Sequence, residues 1–138
     1  MSKAEPQIQK FMTTQPYWIH AGQTLQKAQD MMSELKIRHL PVMNDDNEVV
    51  GVVSDRDIKM ASGIEGVDPA KTLILDVCNE NPYIVEPDLP LREVAEVMAS
   101  RHYGSAIVMQ NGKLVGIFTT VDACRAIMIL IETRTHIH

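Results

Sequence analysis

The stretch that settles the architecture is QPYWIHAGQTLQKAQDMMSELKIRHLPVM, residues 15–43, because the chain repeats it as NPYIVEPDLPLREVAEVMASRHYGSAIVM, residues 81–109. The two align without a gap. Pro16, Tyr17, Leu25, Met32, Val42 and Met43 recur as Pro82, Tyr83, Leu91, Met98, Val108 and Met109. After one deletion in a polar loop, VVGVVSDRD (49–57) meets LVGIFTTVD (114–122), so Gly51 matches Gly116, Ser54 matches Thr119 and Asp57 matches Asp122. An internal repeat of this kind constrains the fold before any single element does.

Each copy predicts the same elements in the same order. A short strand comes first, YWI at 17–19 and YIV at 83–85. A helix follows, with apolar residues at helical spacing: Leu25, Ala28, Met32 and Leu35 in one copy, Leu91, Val94, Ala95 and Met98 in the other. Asp88 is a start signal for the second of these helices. A hairpin then runs from Leu40–Met43 to Val49–Val53 across NDDNE, and from Ser105–Met109 to Leu114–Phe118 across QNGK, where Asn111-Gly112 suits a tight turn with positive φ. A closing helix starts near Ser54 and near Thr119. The expected fold is α/β (α+β), two β-α-β-β-α repeats packed with pseudo-two-fold symmetry. Residues 1–62 form the first repeat with its N-terminal segment, 63–73 the linker, 74–131 the second repeat and 132–138 a tail. A unit of roughly 60 residues alone buries only a marginal core, so the two are expected to share an interior.

Composition narrows the function classes. The 138 residues are 45% apolar and 22% charged, with 4% aromatic residues, nine Met and a formal net charge of −5. Lys and Arg are scattered singly, which argues against a nucleic-acid surface, and the scarcity of aromatics argues against single-strand stacking. Cys78 and Cys124 form no CxxC pair and read as reduced, small hydrophobic residues. The N-terminus has no apolar signal core, and the longest apolar run, AIMILI at 126–131, falls far short of a membrane span of roughly 20 residues. The expectation is a cytoplasmic chain with neither nucleic acid nor membrane as partner. The last helix, from Val121, is apolar on nearly every face, so either a second chain packs there or the helix is fully internal to a monomer. Trp18 is expected as a core or interface anchor.

Ser54-x-x-Asp57 and Thr119-x-x-Asp122 admit two readings. At a helix start, S/T-x-x-D resembles a capping box, with the hydroxyl accepting from a backbone N–H and the acid favouring the positive end of the helix dipole. Yet each pair follows a strand directly, where α/β architectures leave a ligand crevice. A helix N-terminus there suits phosphate, and a nearby carboxylate suits the vicinal hydroxyls of a ribose. Val53, Ile37 and Leu40 are placed to line a slot for the base in the first copy, and Phe118, Tyr103 and Ala106 in the second.

The doubled pattern, with GVVSDRDI and GIFTTVDA at equivalent places, resembles a tandem pair of cystathionine β-synthase (CBS) domains, the Bateman module, from about Ile8 to Ile131. The resemblance implies a regulatory module rather than an enzyme. It implies binding of AMP, ADP, ATP or S-adenosylmethionine between the copies, with Asp57 and Ser54 serving one site and Asp122 and Thr119 the other. A homodimer of modules and a separate effector protein are implied as partners. The copies differ: Arg56 and Lys59, helped by Arg38 and His39, offer positive charge in the first, whereas in the second Gly104-Ser105 stands where Arg38-His39 does and the closing helix carries no basic residue until Arg125. The first copy is therefore expected to contribute most to phosphate binding, unless Arg56 and Lys59 are only solvated surface charges. No metal-ligand spacing, nucleophile–base pair or phosphate-binding glycine loop occurs. No cofactor is expected, and Mg²⁺ only in the company of a bound polyphosphate. The alternative function is a ligand-free structural scaffold whose hydroxyls are helix caps.

Overall fold

The structure, a computed structural model, describes residues 5–137, with side chains described through Arg134. It divides into two compact units, one made of residues 16–82 and the other of residues 5–15 together with 83–137.

In the first unit, strand β2 (Ile19–His20) lies parallel to β3 (His39–Met43), which forms a hairpin with β4 (Val49–Ser54). Helix α1 (Leu25–Leu35) connects β2 to β3, and α2 (Asp55–Ser62) follows β4. The second unit repeats this with β5 (Ile84–Val85), α3 (Leu91–Arg101), β6 (Ser105–Gln110), β7 (Lys113–Thr119) and α4 (Thr120–Ile137). Strand β1 (Thr13–Thr14) joins the edge of β7, giving the order β1-β7-β6-β5. The mixed α/β architecture with two repeats is as expected.

Local chemistry accounts for the punctuation. Helices α1 and α3 both end on a left-handed residue, Lys36 at φ 55° and His102 at φ 60°, whose N–H groups bond back to the carbonyls of Met32 and Met98. At the β6–β7 turn Asn111 and Gly112 have φ of 53° and 74°, the double positive a type I′ turn requires. The apolar stripes face inward at Leu25, Ala28 and Met32, and at Leu91, Val94 and Met98, while Ala95 is exposed. Three expectations give way. Asp88 does not cap α3. Pro90 occupies the N-cap without a side-chain acceptor, and the Leu91 N–H donates instead to the Pro6 carbonyl at 2.8 Å. Trp18 is 44% exposed, so of its two expected roles the core one gives way. Helix α4 continues to Ile137, past the expected start of a tail at 132, because no Gly or Pro interrupts residues 120–137.

The least anticipated feature is an exchange of segments. Two short 3₁₀ turns, Ile8–Lys10 and Ile74–Asp76, stand at equivalent places ahead of each repeat. Ile8 is buried with Val94, Val108 and Phe118 of the second unit, and Ile74 with Ala28, Leu40 and Val53 of the first. Each segment also serves the helix it meets. The Leu25 N–H donates to Thr72 O, just as that of Leu91 donates to Pro6 O. A glycine in β4 and one in β7 make room for this. A Cβ on Gly51 would lie 2.7 Å from both the Asn79 carbonyl oxygen and the Cys78 Sγ, and one on Gly116 would collide with the Met12 side chain.

This packing predicts where a core truncation is felt. Ile74→Ala should cost about 2–5 kcal/mol, and in hydrogen exchange it should loosen the amides of β3 and β4. Ile8→Ala should do the same to β6 and β7. Loosening in the opposite pairs of strands would refute the exchange.

Candidate functional site

The first strand-to-helix junction is a reciprocal cap. Ser54 Oγ accepts from the Asp57 N–H at 3.1 Å, and Asp57 Oδ2 accepts from the Ser54 N–H at 3.0 Å. The Asp55 N–H donates to the Arg38 carbonyl at 2.8 Å. Such a cap stabilises a helix by about 1 kcal/mol, and it leaves fewer N–H groups for a phosphate than an unoccupied helix start offers. Asp57 is partly buried, and its Oδ1 receives no hydrogen bond from any described residue.

Charge around this turn is unevenly committed. Asp55 takes Lys59 at 3.0 Å and Arg38 at 3.6 Å. Arg56 is exposed and has no ion-pair partner among the described residues. His39 lies across from Ser54 in the β3–β4 register. Burial pushes its imidazole below the ordinary value of 6.5, and Arg38 pushes the same way, against the opposing pull of Asp57 and Asp55. Ile37 and Arg38 open instead onto a groove of about 510 Å³ between the end of α1 and the start of α2, lined also by Lys36, Asp55, Ile58 and Lys59. The structure thus gathers Ser54, Asp57 and His39 at the cap, and sets Ile37 and Arg38 beside it.

The second junction has the same plan with different contacts. Asp122 Oδ2 accepts from the Thr119 N–H at 2.9 Å and from the Thr119 hydroxyl at 3.2 Å. The return bond, from the Asp122 N–H to Thr119 Oγ, stretches to 3.5 Å. Asp122 Oδ1 accepts from the Thr13 hydroxyl at 3.0 Å and pairs with Arg125 at 3.5 Å, and the residue is 4% exposed. Gly104 is exposed, and Tyr103 stacks on Tyr83 with ring centroids 5.4 Å apart.

Four expected lining residues are buried, and of these Phe118 borders a cavity, an apolar one of about 320 Å³ against α3 and α4. Val53 and Leu40 are fully buried in the core of the first unit, Ala106 and Phe118 in that of the second. The side chains of Val53, Leu40 and Ala106 point where the sheet meets its helices, so at a surface site they have only backbone to offer. Sequence reasoning also missed Thr13, Tyr83 and the contact of Arg125 with Asp122. The signal for Thr13 lay in comparing MTTQP at 12–16 with CNENP at 78–82, just ahead of the aligned stretch. No group of three or more His, Cys, Asp or Glu suited to a metal occurs among the described residues, and no described helix is long and apolar enough to cross a membrane.

His39 supplies a pH prediction. Its pKa is lower in the folded chain than in the unfolded one, so below 6.5 the unfolded chain binds the extra proton. The stability tied to neutral His39 is complete above that value and falls away as pH drops through the folded value. Chemical denaturation across roughly pH 7 to 5 should therefore show a shallower acid loss for His39→Gln than for the unaltered chain. Parallel curves would contradict the burial of a neutral ring.

Comparison with known proteins now has a geometry to meet. The family model of the CBS domain matches residues 8–63 and again 74–129. The uncharacterized protein YlbB of Bacillus subtilis is 33% identical over 116 residues, covering 83% of this chain and 78% of YlbB. Among solved structures, AcuB of Vibrio cholerae superposes with a TM-score of 0.86 at 27% identity, covering 96% of this chain and 98% of AcuB. CBSX2, solved in complex with AMP, superposes with a TM-score of 0.75 at 25% identity, covering 90% of this chain and 97% of CBSX2. With its two matched copies and repeated strand-to-helix junctions, the chain belongs to the CBS domain family and carries that domain as a tandem pair.

Proposed function

We propose that this chain is an adenosine-nucleotide sensor that regulates a separate effector protein and has no catalytic activity of its own. The observation that carries the reading is the Ser54–Asp57 junction. A partly buried carboxylate, one oxygen of which takes no hydrogen bond from the described residues, sits at a helix opening, with the guanidinium of Arg56, unpaired among the described residues, in the same turn. Those groups suit a ribose and a phosphate respectively. The AMP complex of the similar protein CBSX2 supports an adenosine compound as the ligand. AMP, ADP, ATP and S-adenosylmethionine share the features such a junction reads, and Mg²⁺ would enter only with a polyphosphate. Ligand binding would regulate by favouring one arrangement of the chain, by no more than its difference in affinity between arrangements.

A homodimer is part of the same proposal. On α4, Ile127, Met128, Ile129 and Leu130 are 56%, 60%, 50% and 43% exposed, so the fully internal helix is not what forms. Contiguous exposed apolar side chains on one helix are what an interface requires. The rival reading, a ligand-free scaffold, draws on the fact that both acids already act within their own helix caps.

Two experiments test these readings. In thermal shift, AMP at 100 times its dissociation constant should add about 2.7 kcal/mol of stability, and Arg56→Ala should weaken AMP while leaving adenosine binding intact. No stabilisation by any of a panel of adenosine compounds would favour the scaffold. By sedimentation, the chain should run as a dimer and Ile127→Glu with Leu130→Glu as a monomer. A monomeric unaltered chain would end the dimer proposal.

A further inference from the structure

The two repeats align position for position over most of their length, yet their junctions are not chemically equivalent. At the second, both oxygens of Asp122 are taken, Oδ2 by Thr119 and Oδ1 by Thr13 and Arg125, and the residue is sealed from solvent. At the first, the Asp57 carboxylate bonds only the Ser54 N–H among the described residues. The cause lies in two replaced residues. Asn79 pairs with Val52 where Thr13 pairs with Ile117, but its side-chain oxygen accepts from the Asn81 N–H and does not reach the acid. Met60 stands where Arg125 does.

A second, independent difference points the same way. Tyr83 and Tyr103 stack on each other at 5.4 Å and 29°. In the first repeat Ile37 replaces Tyr103, and Tyr17, the counterpart of Tyr83, is 56% exposed with no ring against it. The backbone agrees. The Ile107 N–H donates to the Tyr83 carbonyl at 2.8 Å, whereas Pro41 at the matching position has no N–H to give to Tyr17. The first repeat thus leaves open an acid, an aromatic ring and a carbonyl that the second has satisfied internally.

We propose that the two junctions have parted in role: the first is the single nucleoside-binding junction of the chain, and the second is a latch that fastens the N-terminal segment through Thr13 and Asp122. The first half rests on the nucleotide-sensor reading given above, and the latch stands independently of it. The latch acts at a strand of only two residues, β1, and adds a side-chain tie to its backbone pairing with β7.

Calorimetric titration of the full chain with AMP separates the possibilities. One AMP should bind per chain, Asp57→Asn should weaken it by about tenfold or more, and Thr13→Val should leave its affinity unchanged. Two AMP per chain, or binding that survives Asp57→Asn, overturns the assignment of the first junction. The latch is read by urea unfolding without ligand. Thr13→Val and Asp122→Asn should each lower the midpoint, and the double variant should fall no further than the worse single one. Additive losses overturn the latch. Failure of AMP and every other adenosine compound to bind defeats the sensor reading and the first half with it, while the urea cycle still decides the second.

Discussion

Each core in this protein is closed by a residue that precedes the other repeat in sequence. Ile74 completes the interior formed by α1, β3, β4 and α2, and Ile8 completes that formed by α3, β6, β7 and α4. A unit of this size has little apolar area to spare, so one fully buried isoleucine is a sizeable share of its stability. The exchanged segment also supplies the carbonyl that satisfies the first N–H of α1 or α3. It lies against β4 or β7 at a glycine, where a Cβ would meet backbone or sulfur. Burial, hydrogen bonding and steric fit thus converge on two stretches of a few residues, and the paired junctions inherit their geometry from the strands those stretches hold.

At the junctions, helix capping and ligand recognition draw on the same atoms. A hydroxyl and a carboxylate three residues apart satisfy each other's backbone amides, which is sufficient reason for their presence at any helix start. What distinguishes a recognition site from a cap is capacity left over. Asp57 has an oxygen to spare, and Arg56 has a charge to spare because Lys59 and Arg38 are both drawn to Asp55. Asp122 has spent both oxygens on neighbours from its own unit. The repeat places an equivalent hydroxyl–acid pair at each junction, and the different residues at positions 13 and 79, 60 and 125, and 37 and 103 set the two apart.

The electrostatics of the first junction follow from this crowding. His39 is held at the start of β3, opposite the cap, where burial favours its neutral form and two nearby acids resist that preference. The ring is therefore sensitive to whatever changes the charge beside it, including occupation of the junction by an anion.

Sequence by itself determined the repeat, the order of elements, the turn at Asn111-Gly112 and the position of both hydroxyl–acid pairs. These depend on local periodicity, turn chemistry and self-similarity, all of which are written along the chain. It also marked α4 as too apolar to be wetted on all sides. Tertiary structure alone decided that Ile8 and Ile74 change places, that Pro6 rather than Asp88 serves the start of α3, and that Val53, Leu40, Ala106 and Phe118 face inward. It alone brought Thr13 to Asp122, across 109 residues of chain. The physical reason is range. A helix stripe or a cap is set by neighbours three or four residues away, whereas the partner of a buried acid or the lid of a core is fixed only when distant segments close upon each other.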